Sequence, residues 1–372
     1  MTLVHDPRID DARNRTMREV LDKLPPLAGV KFGKREAGGP CPKCGGDDRF
    51  SINFRKGVYN CRFCGGGDHI GLVQFVLDCT FMEAIEVLEG ERVAEIDPAE
   101  RERRRIAREK QRKSDEAAEA QYRAWSIQDA VDIWCAGGSY EFRGSIAEDY
   151  LAFRVPGFEL LPHAFKCFRF IPDLPYVKRI KRRNHTLHSG PVLVAAVQAP
   201  DGMMRAVHRT WIDLDQPSGK AQIFAPDGKQ LPSKVVRGSK QGGAIRLTGN
   251  ACGSSLVSGE GIETTLTALV GGVLPGASYW AGVDLGNMSG KRIGGKFSDE
   301  PDMDGGPSFV PPCTVNDFWL IKDGDSEPRQ TQAQLTACAK RAMRINPGLS
   351  AYIVPSVPGG DLNDMIKRPG EQ

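Results

Sequence analysis

Four of the ten cysteines are paired as Cys41-Pro-Lys-Cys44 and Cys61-Arg-Phe-Cys64, with sixteen residues between the pairs. Each CxxC knuckle can offer two thiolates from one tight turn. Strand-like residues 49–54 and 58–59 supply a hairpin that brings the knuckles together, as a tetrahedral zinc site requires. With sulfur in all four positions no coordination site is left open, so the expected zinc is structural. A thioredoxin-like redox pair would need a βαβ context that is not present here. The remaining cysteines (Cys79, Cys135, Cys167, Cys252, Cys313, Cys338) are scattered and read as small buried hydrophobes.

A second set of reactive groups lies late in the chain, each after an apolar, strand-like run. Residues 255–258 lead into Gly259-Glu260-Gly261, where flanking glycines allow close approach of a phosphate or metal. Residues 316–322 end in Asp323-Gly-Asp325, a spacing that aims both carboxylates the same way on an extended chain. Residues 351–355 precede Asp361-Leu-Asn-Asp364, where Asp361 serves equally well as the N-cap of a following helix. Carboxylates converging at strand ends repel one another unless divalent cations are present, so magnesium or manganese is the expected counter-ion.

Basic residues gather near the cysteines, where Lys43, Arg49, Arg55, Lys56 and Arg62 interleave with Phe50, Phe54, Tyr59 and Phe63. Such a ribbon can track a single strand by phosphate contact and base stacking; the other reading makes the aromatics its small core. Further clusters occupy residues 101–113 and 178–183, although the net charge is only +3.

These groups need elements to hold them. A length of 372 residues suits two or three globular units, and no run approaches the roughly 20 apolar residues of a membrane span. Residues 1–15 lack an apolar core behind a basic start, so a cytoplasmic location is expected. Residues 9–24 carry apolar positions at helical spacing and predict one short helix; 70–77 and 81–88 predict two more beside the metal unit. Residues 98–124 are Arg-, Glu-, Lys- and Ala-rich and predict a solvated helical linker, with DNA contact as its alternative. Residues 125–154 read as mostly helical, 191–213 as β-rich runs around the turn Pro200-Asp201-Gly202 in a mixed α+β unit, and 244 onward as alternating strands and helices of a parallel sheet.

The stretch from Cys41 through Arg49-Phe50, then Cys61 through Phe75 and residues 81–88, resembles the zinc-binding domain of bacterial, phage and plasmid DNA primases. The succession Glu260-Gly, Asp323-Gly-Asp325, Asp361-Leu-Asn-Asp364 resembles the Toprim domain, and residues 146–154 resemble the helix "YL..RG" that precedes it in primases, with Val155 in place of glycine. The resemblance implies a multidomain α+β and α/β protein. A zinc ribbon with flanking helices (residues 1–95) would be followed by a charged helical linker (96–124), a mixed α+β catalytic subdomain (125–250) and a Toprim parallel sheet (251–372). It further implies that Glu260 acts as acid, base or metal ligand, that Asp323 and Asp325 hold magnesium, and that Asp361 and Asp364 complete the acidic set. His208-Arg209-Thr210 and Lys234 fall where primases present basic groups to a triphosphate or template.

The activity so implied is synthesis of RNA primers on single-stranded DNA from ribonucleoside triphosphates, with a separate replicative helicase as partner. Two other readings compete. One is a non-enzymatic zinc and Toprim recombination mediator; the other is a Toprim nuclease, whose ATPase would need a P-loop. Residues 286–292 are one residue short of that motif and carry Arg292 where Ser or Thr belongs, so they read as a loop. A type IA topoisomerase would need far more chain.

Overall fold

The computed structural model describes residues 6–90, 98–161, 165–180, 183–251, 253–322 and 327–355. The chain divides into two compact units, Met1–Ala120 and Gln121–Gln372. No helix among the described residues is long and apolar enough to cross a membrane.

In the first unit the predicted single N-terminal helix is two helices, α1 (Pro7–Arg13) and α2 (Met17–Leu21). Local hydrogen bonding interrupts the apolar periodicity: the Glu19 carboxylate accepts from the Thr16 amide at 2.6 Å and Thr16 Oγ1 accepts from the Glu19 amide, a capping box that starts a new helix. Strands β1 (Lys31–Phe32), β2 (Glu36–Cys41), β3 (Gly45–Asn53), β4 (Val58–Cys61) and β5 (Gly65–Asp68) form an antiparallel meander in chain order. Helices α3 (His69–Leu77) and α4 (Phe81–Glu89) follow as expected. Asp78, in the left-handed region at φ 54°, ends α3, and a second capping box of Thr80 and Glu83 starts α4. Phe50 and Ile52 of the meander pack with Met17, Val20, Leu72 and Ile85, a core that explains why these apolar positions recur at sheet and helix periods.

Helix α5 (Pro98–Gly137) runs unbroken past the expected linker boundary at residue 124. Its first half carries exposed i,i+4 pairs such as Lys113 with Glu109, as a solvated helix should.

The second unit joins two sheets. After α6 (Ile146–Arg154) come β6 (Phe168–Ile180), β7 (Arg183–Gln198) and β8 (Met204–Trp211), a small hairpin of β9 (Ile223–Phe224) and β10 (Gln230–Leu231), and β11 (Lys234–Gly238). The antiparallel sheet has the order β11-β8-β7-β6. Then follow β12 (Ile245–Arg246), β13 (Ser255–Gly259), α7 (Ile262–Val270), β14 (Ser278–Ala281) and α8 (Leu285–Ser289). A ribbon of β15 (Arg292–Ile293) and β16 (Glu300–Pro301) precedes β17 (Asp317–Lys322), α9 (Pro328–Ile345) and β18 (Ser350–Pro355). The second sheet has the order β12-β14-β13-β17-β18, parallel throughout except for its edge strand β12. One face, with Leu256 and Phe318, packs on Leu335 and Cys338 of α9; the other, with Val257 and Tyr279, packs on Ala268 of α7. Helices on both faces are what a buried parallel sheet requires.

The expected boundary near residue 250 is not a boundary between cores. Leu193 and Ala206 of the antiparallel sheet share one apolar cluster with Ile262 and Leu266 of α7 and Ala281 of the parallel sheet, so both expected subdomains belong to one unit. Gly286–Ser289, expected to be loop, belongs to α8, which Asp284 caps by accepting from the Asn287 amide at 2.8 Å. Of the scattered cysteines, Cys167 and Cys338 are buried as expected, whereas Cys135 and Cys313 are exposed and Cys79 is half-buried; Cys252 lies outside the described residues.

Candidate functional site

The two knuckles close on each other through the hairpin that separates them. The thiols of Cys41, Cys44, Cys61 and Cys64 all lie within 4.8 Å of one another, with Cys41 Sγ 3.9 Å from Cys64 Sγ and Cys44 Sγ 3.5 Å from Cys61 Sγ. Four sulfurs about 2.3 Å from a central zinc stand about 3.8 Å apart, so the observed cluster fits the ion. Amides of Lys43 and Cys44 donate to Cys41 Sγ at 3.4 and 3.5 Å, and those of Phe63 and Cys64 donate to Cys61 Sγ at 3.5 and 3.4 Å. These donors stabilise thiolate charge in each turn. Among the described residues no other group of three or more metal-ligating side chains converges.

The aromatics around the zinc site divide between the two readings. Phe50 and Tyr59 are buried and pack with Phe75, whereas Phe63 is 64% exposed at the tip of its knuckle. The five basic candidates divide as well. Lys43 pairs with Asp78 at 2.6 Å and Arg62 with Asp48 at 2.9 Å, near the knuckles. Arg55, which pairs with Glu119, and Lys56 line a groove of about 620 Å³ together with Arg13, Arg15, Lys34 and Arg35. Arg49 is exposed on β3. The groove residues from the N-terminal helix and its following loop were not candidates, because nothing in their spacing ties them to the hairpin.

At the second site Glu260 is half-buried in the turn between β13 and α7. Thr265 braces that turn: its Oγ1 donates to the Gly261 carbonyl at 2.7 Å and accepts from the Gly259 amide at 3.2 Å. Any Cβ at Gly259 would stand 2.8 Å from the same Oγ1, which accounts for glycine there. Asp323, Asp325, Asp361 and Asp364 lie outside the described residues.

One turn into α7, Glu263 is buried and is the centre of an ionic cluster that sequence reasoning missed. Tyr150 Oη donates to Glu263 Oε1 at 2.6 Å, Lys234 Nζ donates to both carboxylate oxygens at 2.6 and 2.8 Å, and Lys220 Nζ stands 3.8 Å away. Burial alone would raise the Glu263 pKa, but the two ammonium groups and the hydroxyl hold it well below the usual carboxylate range. Burial and the neighbouring Lys234 push Lys220 down to about 8, and burial and the same lysine push His208 down to about 4. Asp284 stands just beyond β14, ion-paired with Lys240, and acts electrostatically on His208. The one available signal for Glu263 was its place three residues after Glu260, in the first turn of the helix that follows the strand.

The two basic residues expected to share a triphosphate do not share a face. Lys234 is paired across the sheet with Thr210, and Arg209 with Val235, so their side chains leave opposite sides. Arg209 stands over the Trp211 ring at 5.1 Å, and burial, with Arg237 nearby, pushes its pKa down to about 10. Arg237 on that face is paired with Asp129 of α5.

Residues 124–247 match the model of a domain of unknown function, DUF7146. No curated protein matches the chain. Solved structures similar to it include the zinc-binding and RNA polymerase domains of the Aquifex aeolicus primase, at 14% identity over 98% of this chain and 82% of that one, with a TM-score of 0.34. They also include a DNA primase domain from Pseudomonas aeruginosa, at 11% identity over 64% and 74% of the two chains (TM-score 0.36). A third is the primase fragment of the bacteriophage T7 primase-helicase protein, at 11% identity over 90% and 93% (TM-score 0.28).

Proposed function

We propose that this protein is a zinc-containing DNA primase that joins ribonucleotides on a single-stranded DNA template at a Toprim-type acidic site. One observation carries the reading. β13 and β17 are adjacent and parallel, with Leu256 opposite Phe318, so they end at the same edge of the sheet. Glu260 follows the first strand and Asp323-Gly-Asp325 follows the second. β18, parallel beside β17, leads toward Asp361 and Asp364 in the same order. The carboxyl edge of a parallel sheet is where open α/β folds bind their ligands.

Asp323, Asp325 and Glu260, with Asp361 and Asp364 as the last acidic element, would hold magnesium or manganese, which supplies charge stabilisation for attack of a 3′ hydroxyl on an α-phosphate. Lys234 of β11 and Lys220 in the segment after β8, both beside Glu263 of α7, offer cationic groups to the triphosphate. The zinc unit, with the groove of Arg13, Arg15, Lys34, Arg35, Arg55 and Lys56, is suited to the phosphates of the template. Unwinding is assigned to a separate helicase, and the site of action to the cytoplasm.

The test incubates the protein with single-stranded DNA of mixed sequence, magnesium and labelled ribonucleotides, beside the double variant Asp323→Ala, Asp325→Ala. Short RNA from the wild type alone is the expected result. No RNA from either protein, with zinc bound and DNA retained, would overturn the reading in favour of a DNA-binding mediator.

A further inference from the structure

The longest hairpin of the second unit outruns its sheet. β6 and β7 are paired from Phe168 with Ala195 out to Ile180 with Arg183, whereas β8 pairs with β7 only from Val192 to Gln198. Beyond Tyr176, which packs against Trp211 at 4.8 Å between ring centroids, the hairpin is a two-stranded ribbon with no third strand among the described residues. A register shift falls between Tyr176 and Val177, with Leu187 as the extra residue, at the point where the ribbon leaves the sheet.

The ribbon is charged in one sense only. Lys178, Arg179 and Arg183 belong to it, and the sequence holds no aspartate or glutamate from residue 174 to residue 200. Ordinary surfaces intersperse both signs, and lysines that merely protect an edge strand do not require the exclusion of every acid. Lys178 pairs across the ribbon with His185, and Ile180 with Arg183, so Lys178, His185 and Arg183 share one face while Arg179 lies on the other. Val177 is half exposed beside them. An isolated two-stranded ribbon is marginally stable in water, so a ribbon of this kind is suited to being covered.

Its position indicates the occupant. The ribbon leaves the end of the antiparallel sheet where β8 finishes at Trp211 and β11 begins at Lys234, the lysine that grips Glu263. Phosphate groups are the anions that match guanidinium and ammonium groups set on both faces of a ribbon, and no Phe, Tyr or Trp lies between residues 177 and 190 to stack on bases. We infer that this ribbon is a sequence-independent clamp for the sugar-phosphate backbone of single-stranded nucleic acid, held by Lys178, Arg179 and Arg183. The assignment rests on the reading above only for which strand is gripped, the template beside the acidic site.

The experiment measures binding of the full chain to a labelled oligo-dT strand as a function of salt, for the wild type and for the triple variant Lys178→Gln, Arg179→Gln, Arg183→Gln. Loss of three phosphate contacts on a single strand should lower the slope of log K against log salt by about 2. Affinity near 0.1 M salt should fall at least about tenfold, with the melting temperature unchanged because these side chains are exposed. The charge-conserving variant Arg179→Lys, Arg183→Lys should keep the wild-type slope. An unchanged slope in the triple variant overturns the clamp, and so does a fall seen with a DNA duplex but not with the single strand. Primer synthesis is scored separately: a wild type that binds with the full slope yet makes no RNA counts against the primase reading and leaves the clamp standing.

Discussion

Arg209 and Lys234 stand on neighbouring strands of one sheet and face away from each other, Lys234 toward Glu263 and Arg209 toward Trp211 and α5. Replacing them should therefore have different consequences. Lys234→Ala should raise the KM for ribonucleotides about tenfold, the loss of one charge-assisted contact, and should also lower stability by about 1–3 kcal/mol, because buried Glu263 loses its nearest cation. Arg209→Ala should leave KM unaltered and lower stability by about 1–2 kcal/mol through lost packing on Trp211. Steady-state kinetics beside thermal melts separate the two; equal effects on KM would mean that both side chains reach the nucleotide.

The Glu263 cluster predicts a large cost for removing its anion. Glu263→Ala would leave Lys234 and Lys220 without their shared carboxylate and Tyr150 without its acceptor, which should destabilise the second unit by about 2–4 kcal/mol, less than for a fully buried pair because both lysines can turn toward solvent. Glu263→Gln keeps an acceptor for Tyr150 and should cost roughly half as much. Urea titration of the variants would check this, and a cost below about 0.5 kcal/mol would show that the cluster does not brace α7.

His208 sets a dependence of stability on acid. Its folded-state pKa is near 4 against an ordinary 6.5, so below pH 6.5 the unfolded chain takes up a proton that the folded chain refuses. Stability should therefore fall as pH drops from 6.5 toward 4, by up to about 3 kcal/mol. Glu263 does not contribute in the upper part of that window, because its stabilisation is lost only below the ordinary glutamate value of 4.5. His208→Gln should flatten the profile between pH 6.5 and 5 in denaturant melts.

Removing the metal should act on the first unit alone. One zinc per chain is expected by elemental analysis, and a strong chelator, or Cys61→Ser, should abolish hydrogen-exchange protection in β2–β5. Protection in β13, β17 and α9 should persist, because those elements belong to a separate core. Protection of the meander that survives metal removal would assign its stability to Phe50 and Ile52 rather than to zinc.

The cysteine centre and the elements around it were legible in sequence because their causes are local. CxxC spacing, capping residues and periods of two or 3.6 act over a few residues, and they specified the knuckles, α3, α4, α7 and the strands at 255–259 and 317–322. The same locality misled at residues 9–24, where apolar periodicity continued through a capping box that breaks the helix.

Sequence by itself determined which residues can do chemistry: four thiolates at zinc spacing, carboxylates after three apolar strands, and basic runs between them. Tertiary structure alone decided which of these meet. It set Lys234 and Lys220 on Glu263, separated Arg209 from Lys234, joined residues on either side of position 250 in one core, and projected residues 177–180 and 183–186 beyond their sheet. The reason is that strand register and helix docking are fixed by the burial of apolar faces contributed by segments far apart in sequence, and the side of a sheet on which a charge emerges changes with a shift of one residue.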